Sequence, residues 1–204
     1  MSRYTGPRVK KMRAFGIELP GLSAKSIERR PYPPGQHGLN RRRKRSDFGL
    51  RLIEKQKLRF NYGVSERQLR RLMQECLSSK GSTGDRLITL LERRLDNVVF
   101  RAGFATTIPA ARQLVHHRHL RVNGRNCDIA SYRVSVGDEI TFGPRSQTLS
   151  IVTDSLEKGA QYRPEWLDVN EDERKIVVKG GPDGSSAPFP IDTQLVVEYY
   201  SRLL

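Results

Sequence analysis

Residues 1–45 restrict the possible folds more than any other stretch of the chain. They hold 13 Lys or Arg against 2 acids, with five Pro and five Gly. Their scattered apolar side chains follow neither the helical period nor the strand period of two. A segment this charged cannot bury enough apolar surface to offset its ordering entropy. It reads as an extended arm with no core of its own, flexible until a partner orders it. Its densest part is Arg41-Arg42-Arg43-Lys44-Arg45, preceded by Arg29-Arg30-Pro31-Tyr32-Pro33-Pro34-Gly35-Gln36-His37-Gly38. The prolines hold the backbone extended. The glycines permit close approach to a phosphate, and Tyr32 and His37 offer rings for an unpaired base. A solvated basic tail is the plainer alternative.

The net charge of the 204 residues is +15, and it is unevenly placed. Residues 1–45 carry +11, 46–80 carry +4, 81–145 carry +4 and 146–204 carry −4. Self-repulsion of that size calls for a polyanion, and its position points to a basic arm or face on nucleic acid. No run of 18 apolar residues exists, which excludes a transmembrane helix, and no membrane partner is expected. The start, MSRYTGPRVKK, lacks the apolar stretch of a secretory signal. Two cysteines, Cys76 and Cys127, can build neither a disulfide framework nor a four-thiolate zinc site, which fits a reducing compartment.

Ser46 is placed to cap a helix over 47–61 that ends at Gly63. Ser65 and Gln68 form a capping box before Leu69, Leu72, Met73, Cys76 and Leu77, an apolar stripe at helical spacing. The helix 47–61 carries Arg51, Lys55, Lys57 and Arg59. Arg67, Arg70 and Arg71 lie opposite the stripe of the next helix, available to phosphates. One uninterrupted helix is expected over 85–102, and another after Thr107 as N-cap, with Pro109 in its first turn. The period then changes to two. Asn123-Gly124 signals a type I′ hairpin, and Val134, Val136, Ile140 and Phe142 alternate around a second turn at Gly137-Asp138. Ile176–Val178 reads as a strand, 180–190 as loop, and Asp192 as the cap of a last helix, although its sequence also suits a strand.

No nucleophile elbow, Walker loop or GxGxxG is present. His116-His117-Arg118-His119 has no Cys or carboxylate set to complete a zinc site, so no metal is expected; the readings left are RNA-facing donors or a plain surface cluster. Arg94-Leu95-Asp96 also occurs at the catalytic Asp of pseudouridine synthases, but Leu95 belongs to the buried stripe of the expected helix. Arg112 and His116 on one helix flank lead directly into Arg121-Val122-Asn123-Gly124-Arg125. A helix face beside a tight basic hairpin suits the backbone of folded RNA, with Asn123 reaching 2′-hydroxyls.

Ser2-Arg3-Tyr4, Gly6-Pro7, YPPGQHG (32–38), EKQKLRFNYG (54–63), SERQ (65–68), RLDNVVFRAGF (94–104), ARQLV (111–115), VNGR (122–125) and VVEYYSR (196–202) occur in this order. Together they resemble the small-subunit ribosomal protein four family of bacteria and plastids, almost end to end. Gly81–Gly84 and Thr107–Arg112 lean towards its cyanobacterial and plastid branch. The resemblance implies direct binding of 16S rRNA at a junction in its 5′ domain and nucleation of the subunit body. It further implies a place near the mRNA entry, contacts with ribosomal proteins three and five, and an influence on translational accuracy through protein five. It implies a ribosomal location in bacterial cytoplasm or plastid stroma. Arg41–Arg45 match the region near the mRNA path. Many relatives hold zinc through an N-terminal cysteine cluster; residues 1–40 here contain no Cys, so the resemblance is to the zinc-free form, with no cofactor.

The expected fold is α+β: an extended basic arm (1–45), a helical domain (46–93) completed by 156–204, and an inserted alpha-L RNA-binding domain (94–155) of two helices and a small hairpin-rich sheet. The expected RNA ligands in the arm are Arg3, Tyr4, Arg8, Lys10, Lys11, Arg13, Arg29, Arg30, Tyr32, His37 and Arg41–Arg45, including Arg42, Arg43 and Lys44. The helical domain adds Arg51, Lys55, Lys57, Arg59, Arg67, Arg70 and Arg71. The inserted domain adds Arg112, His116, His117, Arg118, Arg121, Asn123 and Arg125. A non-catalytic rRNA-binding protein is the leading reading. An RNA-modifying enzyme needs a catalytic sheet domain for which the flanks are too short. A regulatory RNA-binding module leaves the arm and the C-terminal segment without a role.

Overall fold

The computed structural model describes residues 4–40, 45–146, 150–159, 163–201 and 203. The chain divides into two compact units, residues 1–87 with 187–204 and residues 88–186.

The first unit holds helices α1 (Arg8–Phe15), α2 (Asp47–Asn61), α3 (Glu66–Leu77) and α8 (Thr193–Ser201), and the first half of α4 (Thr83–Glu92). Its caps are those the sequence signals. Ser46 Oγ accepts from the Gly49 amide, Ser65 and Gln68 close a reciprocal capping box, and Asp192 Oδ1 accepts from the Gln194 and Leu195 amides. Helices α2 and α8 pack together, burying Leu58, Val196 and Tyr200; Leu69, Met73 and Cys76 form the buried stripe of α3. Glu66 ties three helices. Its carboxylate accepts from Lys55 of α2 (2.8 Å) and from the Tyr200 hydroxyl of α8 (2.7 Å).

The expectation of an arm without a core is corrected over residues 8–22. Met12 and Leu19 are fully buried, and the Gly21 amide donates to Oδ1 of the buried Asn61 (2.9 Å). A few well-placed apolar residues suffice, each contributing about 1.5–3 kcal/mol when buried. The segment 32–38 is folded as well. Gly35 has φ +108°, and a Cβ on Gly38 would collide with the Pro33 carbonyl oxygen. These glycines close a turn of the chain on itself.

The second unit holds α5 (Leu95–Arg101), α6 (Ile108–His116), α7 (Ser150–Glu157) and a five-stranded antiparallel sheet. The strands are β1 (Leu120–Val122), β2 (Arg125–Asn126), β3 (Glu139–Phe142), β4 (Leu167–Asn170) and β5 (Lys175–Val178), in the order β2-β1-β3-β5-β4. Thr107 caps α6 through Oγ1, and Asn123 and Gly124 take φ +49° and +77°, as a type I′ turn requires. Ile140, Phe142, Ile176 and Val178 bury one face of the sheet.

Three expectations change here. The helix over 85–102 is broken at Arg93-Arg94, because the Leu95 and Asp96 amides donate to the carbonyls of Tyr132 and Ala130, and the Val134 amide donates to Arg93. Those long-range bonds replace the helical ones and free Arg94 to bridge to Arg133. Residues 134–136 form no strand; β3 pairs instead with β1 and with the distant β5. That pairing also moves the boundary. Only 187–204 of the segment 156–204 belongs to the first unit, while β4 and β5 extend the sheet of the second.

Candidate nucleic-acid interface

In the first unit, α1 carries Arg8, Lys10, Lys11 and Arg13. Lys10 is exposed and Arg8 half-buried. Lys11 Nζ stands 5.7 Å from the Tyr4 ring centroid and 5.2 Å from that of Phe60, and Tyr4 meets Phe60 edge-on. Arg13 Nε donates to the carbonyls of Arg30 and Tyr32 at 3.1 and 3.0 Å, and its guanidinium covers the Tyr32 ring at 4.9 Å. Arg13 therefore shapes the 30–32 backbone, and one face of Tyr32 is already covered. Arg29, Arg30, His37 and Arg45 are exposed. Arg3, Arg41, Arg42, Arg43 and Lys44 lie outside the described residues.

Along α2, the expected phosphate ligands are largely committed to acids. Lys55 is corrected outright: its side chain is 4% exposed and paired with Glu66, its ammonium 4.7 Å from the Tyr199 ring. Arg51 pairs with Glu198 and Lys57 with Glu54. Arg59 stacks on Phe60. On α3, Arg67, Arg70 and Arg71 are exposed, with Arg70 donating to the Leu203 carbonyl.

The Glu66 cluster has a titration signature. Burial opposes its charge, but hydrogen bonds from Lys55 and Tyr200, and the charges of Lys55 and Arg59, outweigh that and lower its pKa. Burial first, then the bond to Glu66, pushes the Tyr200 phenol far up. A carboxylate with a depressed folded pKa stabilises the fold above its ordinary value of 4.5 and loses that contribution as pH falls through the lowered value. Urea unfolding from pH 6 to 3 is expected to show wild-type stability falling more steeply below about pH 4.5 than that of Glu66→Gln. Parallel curves would contradict this.

In the second unit the decisive residue is one the sequence reading set aside. Asp96, fully buried, accepts from Arg94 Nε (3.0 Å) and Nη2 (2.8 Å), from Arg112 Nε (3.0 Å) and Nη2 (2.6 Å), and from the Asn97 amide. Arg112 is thus corrected from an open phosphate ligand to a partner in a buried three-residue charge network, its side chain 18% exposed. No Gly or Pro marks the helix break that makes this geometry, so nothing local in the sequence signals it. Asn123 has a structural role besides the expected one. Its amide donates to Asp138 Oδ1 and accepts from the Glu139 amide, both at 2.9 Å, so it locks the hairpin, while the residue stays exposed.

The remaining donors of this unit lie close together in the chain. His116 Nδ1–H donates to the Asp128 carbonyl (3.0 Å), Arg118 Nε to the Asp128 carboxylate (3.1 Å), and Arg121 Nε to Asn126 (3.1 Å). His117 and Arg125 are exposed, as are His116 and Arg118. This is a polar surface fit for phosphates, with no assembled catalytic constellation among the described residues.

Residues 3–92 match a family model described as the ribosomal protein S4/S9 N-terminal domain, and residues 93–140 match the S4 domain. The chain is 59% identical over 205 residues to small ribosomal subunit protein uS4 of Methylobacillus flagellatus, with all of both chains covered. It is 58% identical to protein uS4B of Nitrosomonas europaea and 52% identical to protein uS4 of Synechococcus elongatus, covering 99% of each chain in both cases. Identity therefore does not single out the cyanobacterial branch.

Proposed function

We propose, because the chain belongs to the ribosomal protein S4 family, that it binds 16S rRNA directly at a junction in the 5′ domain and nucleates assembly of the small subunit's body. It is a structural, non-enzymatic constituent of the small ribosomal subunit. The supporting observation is the full-length match in a chain whose exposed cations, Lys10, Arg29, Arg30, Arg67, Arg71 and Arg125 among them, remain outside the internal ion pairs. Capture is electrostatic, followed by fitting of a folded RNA against donors held by rigid elements. The finer parts of the reading are contacts with ribosomal proteins five and three, a place near the mRNA entry, and an influence on accuracy through protein five.

The test is co-sedimentation. The protein is expected to bind isolated 16S rRNA 5′ domain without other proteins, and to remain with small subunits through a high-salt wash. Turnover on RNA, or release from washed subunits, would overturn the reading.

A further inference from the structure

Helix α6 ends in a backbone conformation that its residue does not suit. The Arg118 amide donates to the Val115 carbonyl and the His119 amide to that of Leu114, a left-handed helix stop. Arg118 sits at its left-handed position with φ +61°, where glycine is favoured because a Cβ is crowded there. The comparison within the chain is Arg174, also at positive φ, +50°. Arg174 has an evident return: its guanidinium donates to Thr153 Oγ1 on α7, and it is half-buried. The Arg118 side chain is 71% exposed, and it pairs with the 44%-exposed Asp128 carboxylate. An exposed ion pair of that kind adds little to folding. The strain at 118 thus has no matching gain inside the unit, and strained positions of this sort collect at sites of function.

We propose that Arg118 is a dedicated phosphate ligand for RNA, with Asp128 holding its guanidinium in place until an RNA phosphate takes over the same donors; this rests on the rRNA-binding reading above. Two residues earlier in the chain, the His116 Nδ1–H is fixed on the carbonyl of the same Asp128. Asp128 therefore organises two neighbouring donors. A carboxylate and a phosphate oxygen compete for the same N–H groups, so the exchange requires no rearrangement of the backbone.

The test uses the full chain and the variant Arg118→Gly, with 16S rRNA 5′-domain transcript as the probe. Stability and affinity are expected to move in opposite directions. The urea midpoint rises, because glycine relieves the turn. Binding weakens about tenfold at low salt, and the slope of log K against log salt becomes shallower by about 0.7–0.9, one phosphate contact. An unchanged slope, or a lowered urea midpoint, overturns the proposal, since the guanidinium then serves the fold. Asp128→Asn supplies a second reading: it is expected to bind at least as tightly as wild type, and loss of binding there also overturns the exchange. A wild-type protein that shows no salt-dependent binding would instead remove the rRNA reading itself.

Discussion

Replacing Asp96 with Asn is expected to destabilise the unit formed by residues 88–186 by about 3–5 kcal/mol, the usual cost of removing one partner from a buried charge network. The physical reason lies in what remains. Asp96 is fully buried, and the Arg94 and Arg112 side chains are 8% and 18% exposed. Four guanidinium N–H bonds converge on its two oxygens. An Asn at 96 keeps the shape, but it removes the negative charge that both guanidiniums share and turns an N–H₂ towards their donors. The loss is geometric as well, because Asp96 is the bond between the start of α5 and the flank of α6. Hydrogen exchange at the amides of 95–101 and 108–116 separates this unit from the other. Protection is expected to fall there while the amides of α3 keep theirs. Unaltered protection around Asp96 would show that the network is dispensable.

The parts of the fold legible in the sequence are those whose partners lie three or four residues away. Ser65 with Gln68, Thr107 with Ala110, and Asp192 with Leu195 are caps whose donors and acceptors are supplied locally. Asn123-Gly124 carries its own φ requirement. The parts not legible depend on distant segments. Whether the helix continues through Arg93-Arg94 is decided by carbonyls at 130 and 132, and β3 finds β5 more than thirty residues later. Met12 and Leu19 are apolar residues without a clear period in a basic segment, and they are buried where the Gly21 amide bonds the distant Asn61 of α2. The same distinction separates the site residues. Arg67 and Arg71 lie opposite a clear stripe and are exposed, as the spacing predicts. Lys55 looks equivalent in sequence, yet Glu66, with Tyr200 on its other oxygen, draws it inside. A count of cations therefore overstates how many are available to RNA.

That difference between cations present and cations available has a measurable consequence. Ten neutralised phosphates are expected to give log K against log salt a slope of about −7 to −9 for the proposed rRNA binding, and a loss of roughly 10⁴–10⁵-fold in affinity between 50 and 200 mM salt. The net charge alone would predict that any Lys or Arg contributes equally. The structure predicts otherwise. Arg30 and Arg71 are exposed, so replacing either with Ala is expected to make the slope shallower by about 0.7–0.9 with stability nearly unchanged. Lys55 is buried on Glu66, so Lys55→Met is expected to leave the slope unaltered, any change appearing in the unfolding curve. Filter binding over a salt series, paired with urea unfolding of each variant, reads both quantities. A wild-type slope nearer −2 would remove electrostatic capture as the mechanism. Equal slope changes at Arg30, Arg71 and Lys55 would mean that RNA senses the total charge and not its placement, and the assignment of internal and external cations would fall with it.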